Sequence, residues 1–150
     1  MLSSTWYFAE GFTGNGWLTF ISATNLGATS ANVNLTYHMT DGTSVTRSTT
    51  VAPQSRFTFA GHNDPSNPAI PGQPTGVGLG KAFSVSISSD QPIVSQEART
   101  DTAGLLAHGT VGVTSPGTTW YFAEGVTTNF WLTFISVGNL AYSARGTPGS

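Results

Sequence analysis

The stretch Val33-Asn34-Leu35-Thr36-Tyr37-His38-Met39 decides the fold class of this chain. Apolar and polar side chains alternate along it, and a period of two is typical of a β-strand with one buried and one solvated face. The alternation returns in Phe83-Ser84-Val85-Ser86-Ile87-Ser88 and around Phe57 to Phe59. We therefore predict an all-β protein of six to eight antiparallel strands, most simply an immunoglobulin-like β-sandwich.

Turn signals separate these strands. Asp41-Gly42 predicts a hairpin, and a loop of three or five residues keeps Val45 on the core side, whereas a two-residue loop turns it outward. Residues 62–74 hold four of the eight prolines, which predicts a long loop there.

Composition points to an uncharged but polar surface. Only 8% of the residues are charged, against about 25% in an ordinary domain, whereas 23 Thr and 17 Ser supply hydroxyl groups. The 17 aromatic residues supply enough apolar surface for a packed core, which argues against a disordered chain.

The charge pattern excludes several kinds of partner. The net charge is −2, and the five basic residues are scattered, so we expect neither nucleic-acid binding nor membrane insertion. The opening Met1-Leu2-Ser3-Ser4 is no signal peptide, so if the parent protein is secreted or lies at the cell surface, we expect this chain to be a piece of it.

The chain repeats itself. Residues 5–26, the first copy, return 114 residues later as residues 119–140, the second copy, with 17 identities in 22 positions. We predict a tandem array in which residues 5–118 form one unit and 119–140 begin the next. Residues 141–150 are predicted to be a disordered tail.

These motifs resemble those of known repeats. Trp6-Tyr7-Phe8-Ala9-Glu10-Gly11, Asp41-Gly42, Ser55-Arg56-Phe57-Thr58 and 89–94 look like tandem repeats of large adhesin-like bacterial surface proteins, over roughly residues 5–140. The chain is also similar to a small group of adhesin-like bacterial proteins proposed to bind methane clathrate. The resemblance implies an extracellular module without catalytic residues or cofactors. The antifreeze-type spacing of Thr and Ala in that group is only partly present here, so no binding residue is transferred from it.

The alternation predicts which side chains form an outer surface. Thr presents a methyl group and a hydroxyl group on a stiff stem, and a regular strand face repeats such groups in a lattice that can match ordered water. Thr and Ser are also ordinary solvent-facing strand residues, which is the alternative explanation. The surface-binding candidates are Thr36, His38, Thr40, Thr46, Ser48, Ser84, Ser86 and Ser88.

Catalytic and metal sites are not predicted. Glu10 and Glu124 occupy equivalent places in successive copies, and neither has a visible partner carboxylate or base. His38, His62 and His108 lack the spacing of metal ligands, and the chain has no cysteine. We expect no enzyme activity and no cofactor.

The second copy is predicted to associate with another molecule. It lacks the strands that follow the first copy, so its apolar side chains need a partner, and an identical chain can supply one by strand addition or exchange. The alternative is that the second copy closes the sandwich of the first unit, with residues 5–26 left as the loose end, and a monomer is then stable. The association candidates are Trp120, Tyr121, Phe122, Trp131, Phe134 and Ile135. The resemblance to clathrate-binding proteins makes a module that binds an ordered-water solid, such as gas hydrate or ice, and inhibits its growth the most specific functional hypothesis. A structural stalk repeat and a carbohydrate-binding domain with exposed Trp or Tyr are the alternatives.

Overall fold

The computed structural model describes residues 1–63, 75–123, 125–127 and 133–139. These residues form seven β-strands and no helix. The strands are β1 (Ser3–Phe12), β2 (Trp17–Asn25), β3 (Ala31–Met39), β4 (Ser44–Val51), β5 (Ser55–Ala60), β6 (Ala82–Asp101) and β7 (Ala107–Val111). The predicted all-β class is confirmed. Most of the predicted 62–74 loop and the whole predicted tail lie outside the described residues.

The 20-residue strand β6 organises the sheet. Its first half pairs with β1 and β3, and β4 joins the far edge of β3. Its second half pairs with β2 and β7, and β5 joins the far edge of β2. Every pairing is antiparallel, so the chain forms one curled antiparallel sheet, which is the part of the predicted sandwich that the structure supports.

β6 changes partners around Pro92. Thr5 of β1 lies opposite Ser88, but Ser3 lies opposite Ile93, so the pairing skips several residues of β6 there. Proline has no backbone N–H to donate to a ladder and is tolerated where pairing is interrupted. The proline that separates two apolar stretches in the sequence therefore lies inside one continuous strand.

The curled sheet encloses a single core. The alternating residues of β3 and β6 that the sequence placed inward, such as Leu35 and Val85, are buried, except that Met39 at the end of β3 is only partly buried. The Tyr37 and Phe83 rings meet edge to face with centroids 4.9 Å apart, and the Tyr37 hydroxyl donates to the Thr75 carbonyl at 2.8 Å. The inward positions that carry the strand pattern therefore pack against one another in the core.

The hairpin between β3 and β4 has the predicted geometry. Tyr37 lies opposite Val45, and the Met39 N–H donates to the Thr43 carbonyl at 2.8 Å, which leaves a three-residue loop. Gly42 in that loop has φ of +85°, a conformation that favours glycine. Val45 therefore shares the inner face with Tyr37.

The chain returns to its beginning after β7. The backbones of Tyr7 and Val113 exchange hydrogen bonds of 2.8 and 3.0 Å, and the Thr5 hydroxyl donates to the Thr114 carbonyl at 3.1 Å. Thr119, the first residue of the second copy, is thus only five residues beyond Thr114, which contacts the start of the first copy. All seven strands lie before it, and its described residues form none.

Candidate binding face and the second copy

Seven of the eight surface-binding candidates share one outer face of the sheet. β4, β3 and β6 lie side by side, with Thr36 opposite both Thr46 and Ser86. We call this surface the hydroxyl face. Its members are Asn32, Asn34, Thr36, His38, Thr46, Ser48, Thr50, Ser84, Ser86 and Ser88. Thr40 is the exception, because β3 ends at Met39 and Thr40 lies in the hairpin turn.

Hydrogen bonds between neighbouring strands fix the side chains of the hydroxyl face. These contacts join Thr36 and Thr46 (2.8 Å), Ser48 and Asn34 (2.7 Å), Thr50 and Asn32 (2.9 Å), and His38 and Ser86 (2.8 Å). A hydroxyl group has one donor and two acceptor sites, so each paired hydroxyl still has capacity for water. The cross-strand pairs therefore orient the hydroxyl groups without saturating them.

No Lys, Arg, Asp or Glu belongs to the hydroxyl face. Arg47, between two of its members, points to the other side and donates from Nε to the Gly76 carbonyl at 3.1 Å. Asp90 lies at one end, where its carboxylate accepts from the backbone N–H and the side chain of Asn32 at 2.8 and 2.7 Å. Burial lowers the pKa of His38, which favours the neutral ring at pH 7. The face is therefore polar and uncharged.

A groove borders one end of the hydroxyl face. Its volume is about 800 Å³, and its walls come from β1, β3, β6 and residues 136–139 of the second copy. A side chain at Gly138 would come within 3.2 Å of the Ala9 Cα and 3.4 Å of the Ser84 Cβ, so the second copy lies close against the sheet here. Thr36, His38, Thr40 and Ser84 all line this groove.

Glu10 belongs to a charged cluster that the sequence did not reveal. Its Oε2 lies 3.2 Å from Arg99 Nη1, and Arg99 Nε lies 3.0 Å from Glu97 Oε1. The Ser136 hydroxyl of the second copy also donates to Glu10 Oε2 at 2.7 Å. The expectation that Glu10 lacks a nearby carboxylate is therefore wrong, since Arg99 connects it to Glu97. Glu124, its counterpart in the second copy, lies outside the described residues.

Glu97 is buried against this cluster. Its residue is 3% exposed, and desolvation raises its pKa to about 7, against the lowering effect of Arg99 and with the raising effect of Glu10. Its Oε1 contacts Arg99 but receives no hydrogen bond of good geometry. The two-residue spacing of Glu97 and Arg99 along β6 could have predicted their contact from the sequence, because residues two apart in a strand share a face. Their link to Glu10 depends on a long-range contact that no spacing shows.

The aromatic residues of the two copies have opposite environments. Trp6 is 1% exposed and donates from Nε1 to the Ile93 carbonyl at 3.1 Å, so it is a core residue and presents no stacking surface. Its counterpart Trp120 is 53% exposed. The other described association candidates, Tyr121, Phe122, Phe134 and Ile135, are also exposed, and Trp131 lies outside the described residues.

The second copy nevertheless reproduces one local structure of the first. The Thr19 hydroxyl accepts from the Phe12 N–H at 3.1 Å and donates to the Phe12 carbonyl at 2.7 Å. Its counterpart Thr133 makes the same two contacts with Val126, at 2.9 and 2.8 Å. Part of the β1 to β2 connection therefore forms in the second copy although its described residues form no strand.

Within the described part of the chain, no three His, Cys, Asp or Glu residues are placed to hold a metal ion. None of the described residues forms a helix long and apolar enough to cross a membrane.

Comparison with known proteins finds similar folds among solved structures only. No family model matches the chain, and neither does any curated protein. The crystal structure of Thermotoga maritima 1070 is similar, with a TM-score of 0.60 and 19% identity over 77% of this chain and 97% of that one. The Anabaena sensory rhodopsin transducer is similar with a TM-score of 0.50 and 22% identity, over 63% of this chain and 94% of that one. At these identities the likeness shows the fold alone.

Proposed function

We propose that the chain is a non-catalytic, extracellular, adhesin-like module that binds an ordered-water solid through the hydroxyl face. Methane clathrate is the most specific candidate and ice is the second. The observation that carries the proposal is the hydroxyl face itself, in which uncharged side chains on three adjacent strands are oriented by cross-strand hydrogen bonds. Adsorption of the module would inhibit growth of the solid.

The physical basis is a regular array of uncharged hydroxyl and methyl groups. Side chains on one face recur about 6.6–6.8 Å along a strand and about 4.7–4.9 Å between strands, so the hydroxyl groups form a two-dimensional lattice. Thr36 and Thr46 each add a methyl group beside the hydroxyl. An uncharged face does not impose the tight hydration shell of an ion, so its bound water can join an ordered solid.

Adsorption of paired variants tests the proposal. Thr36→Lys with Ser88→Lys places two charges on the hydroxyl face, and we expect it to abolish adsorption to methane hydrate. The matched control, Thr24→Lys with Gln96→Lys, adds the same charge to the outer side of β2 and the second half of β6. Equal adsorption of the two variants would contradict the proposal, provided that both melt within a few degrees of the unmodified chain.

A structural repeat in a bacterial cell-surface stalk is the second candidate function. The exposed apolar side chains of the second copy favour it, because Phe134 is 78% and Ile135 62% exposed although each counterpart in the first copy is wholly or partly buried. In an array the next unit would cover them, and in this chain an identical molecule would do so. The immunoglobulin-like sandwich predicted from the sequence remains a proposal, and we include it in this second candidate function.

Light scattering at micromolar concentration tests the self-association. Ile135→Ser is expected to shift the chain from dimers or longer assemblies toward the monomer. Leu105→Ser is the control, because Leu105 is an exposed leucine at 82% in the connection between β6 and β7. A chain that is monomeric before any substitution would contradict association, as would equal effects of the two variants.

A further inference from the structure

We propose that the second copy can replace the first copy in the sheet, with residues 119–123 taking the place of residues 5–9 beside β6. The position of β1 beside β6 is thus a docking site for one defined occupant, residues 119–123. These residues come from the same chain or from a neighbouring chain. This inference deepens the self-association proposal and is independent of binding to hydrate or ice.

Residue identity at the buried positions is the first support. The first copy buries seven side chains other than glycine, namely Trp6, Phe8, Thr13, Thr19, Ile21, Ala23 and Asn25. Six of these residues are unchanged in the second copy, and the seventh, Ala23, becomes Val137. The side chains that the site recognises are thus almost all present in a segment whose described residues are mostly exposed.

The tether is the second support. Thr114 already contacts Thr5, at the start of β1, through a hydrogen bond of 3.1 Å. Only four residues separate Thr114 from Thr119, the counterpart of Thr5. A short link keeps the second copy at a high effective concentration near the site, so exchange needs no long excursion of the chain.

Local preorganisation is the third support. The paired contacts of Thr133 with Val126 repeat those of Thr19 with Phe12, so the second copy already holds part of the connection that follows β1.

Two substitutions explain why the first copy holds the site. Ala23 is fully buried, and Val137 would bring two more methyl groups into that close-packed position. Gly16 has φ of +80°, where Phe130 would be strained. These two differences bias the competition toward the first copy.

Weakening the first copy in the full chain tests the exchange by its effect on melting. Trp6→Ala is expected to lower the melting temperature much less than Trp6→Ala combined with Trp120→Ala, because Trp120 replaces Trp6 only in the single variant. Trp120→Ala alone is expected to leave the melting temperature unchanged, since the first copy then keeps its place. Equal melting temperatures for Trp6→Ala and the double variant would overturn the proposal.

Disulfide trapping tests the register of the exchange. Tyr7 lies opposite Ser86, so Tyr121→Cys with Ser86→Cys forms a disulfide only when the second copy occupies the first copy's register. The chain has no other cysteine. Adding Trp6→Ala, or the milder Ala23→Val, is expected to accelerate this disulfide. For Trp6→Ala we expect the disulfide to form at least about tenfold faster. Loss of a buried Trp shifts the equilibrium between the two copies at this site by more than about tenfold.

The collision control is Leu105→Cys with Ser86→Cys, which joins Ser86 to an exposed residue elsewhere. A Tyr121–Ser86 disulfide that forms no faster than this control in every background would overturn the proposal. A non-reducing gel, which shows the disulfide, and light scattering, which shows the assemblies, together separate exchange from association. A disulfide within a monomer supports exchange while association fails, and assemblies without this disulfide leave association standing while exchange fails.

Discussion

Replacing Glu97 by Gln is expected to remove a pH dependence of stability that the buried carboxyl group creates. Glu97 is 3% exposed, and its pKa rises from 4.5 to about 7 on folding because burial penalises the charged form. The unfolded chain releases this proton near pH 4.5, whereas the folded chain keeps it until about pH 7. The contribution of Glu97 to the free energy of unfolding is therefore fully present below pH 4.5 and falls as the pH rises toward 7.

The size of this effect follows from the difference between the two pKa values. At about 1.4 kcal/mol per pH unit, the ionised Glu97 lowers the free energy of unfolding by about 3 kcal/mol at pH 8 relative to pH 4. Gln has the shape of the neutral acid, and Arg99 keeps its 3.2 Å contact with Glu10 in the variant. We expect Glu97→Gln to match the unmodified chain at pH 4 and to exceed its melting temperature at pH 8 by about 10 °C.

Urea unfolding followed by tryptophan fluorescence, at half-unit steps from pH 4 to pH 8, measures the effect. The difference in the free energy of unfolding between the variant and the unmodified chain reports Glu97 alone. His38 and His62 contribute equally to the pH dependence of both proteins. Asp90→Asn removes an exposed carboxylate and serves as the control. A stability difference that does not grow between pH 4.5 and pH 7, or that matches the control, would refute the assigned environment of Glu97.

Three smaller predictions concern the core and the hydroxyl face. Tyr37→Phe removes the buried hydrogen bond to the Thr75 carbonyl and should lower the free energy of unfolding in urea by about 1 kcal/mol, whereas no change would show that the bond contributes nothing. Ala23→Val overpacks a fully buried position and should cost about 1–3 kcal/mol in the same assay, whereas a gain in stability would show spare room there. Burial lowers the pKa of His38, so the folded chain resists its protonation and loses stability as the pH falls below 6.5. His38→Asn should make that loss shallower in pH-dependent melting, whereas a slope equal to that of His108→Asn would contradict this.

The sequence predicts the core strands well because local pattern determines them. Val33 and Tyr37 point inward and Thr36 outward, since the period of a strand allows no other arrangement once one face is buried. Val45 follows from the same rule, because the length of the Asp41-Gly42 hairpin sets its face.

The missed features depend on contacts distant in sequence. The passage of β6 through Pro92 depends on different partners that pair on either side of it. The link from Glu10 through Arg99 to Glu97 needs the approach of β1 and the second half of β6, which no local pattern encodes. Thr40 continues the alternation of β3 in the sequence, but in the structure it lies in the hairpin turn. Local pattern thus predicts faces, whereas the curl of the sheet decides which faces meet.

Growth of methane hydrate and of ice, measured side by side at fixed subcooling, tests the proposed function most directly. The proposal predicts that the unmodified chain slows growth of at least one solid relative to a control protein of equal size and charge. The variant with Thr36→Lys and Ser88→Lys should lose that inhibition, and the variant with Thr24→Lys and Gln96→Lys should keep it. Growth rates of both solids equal to those with the control protein would contradict binding of an ordered-water solid by this chain.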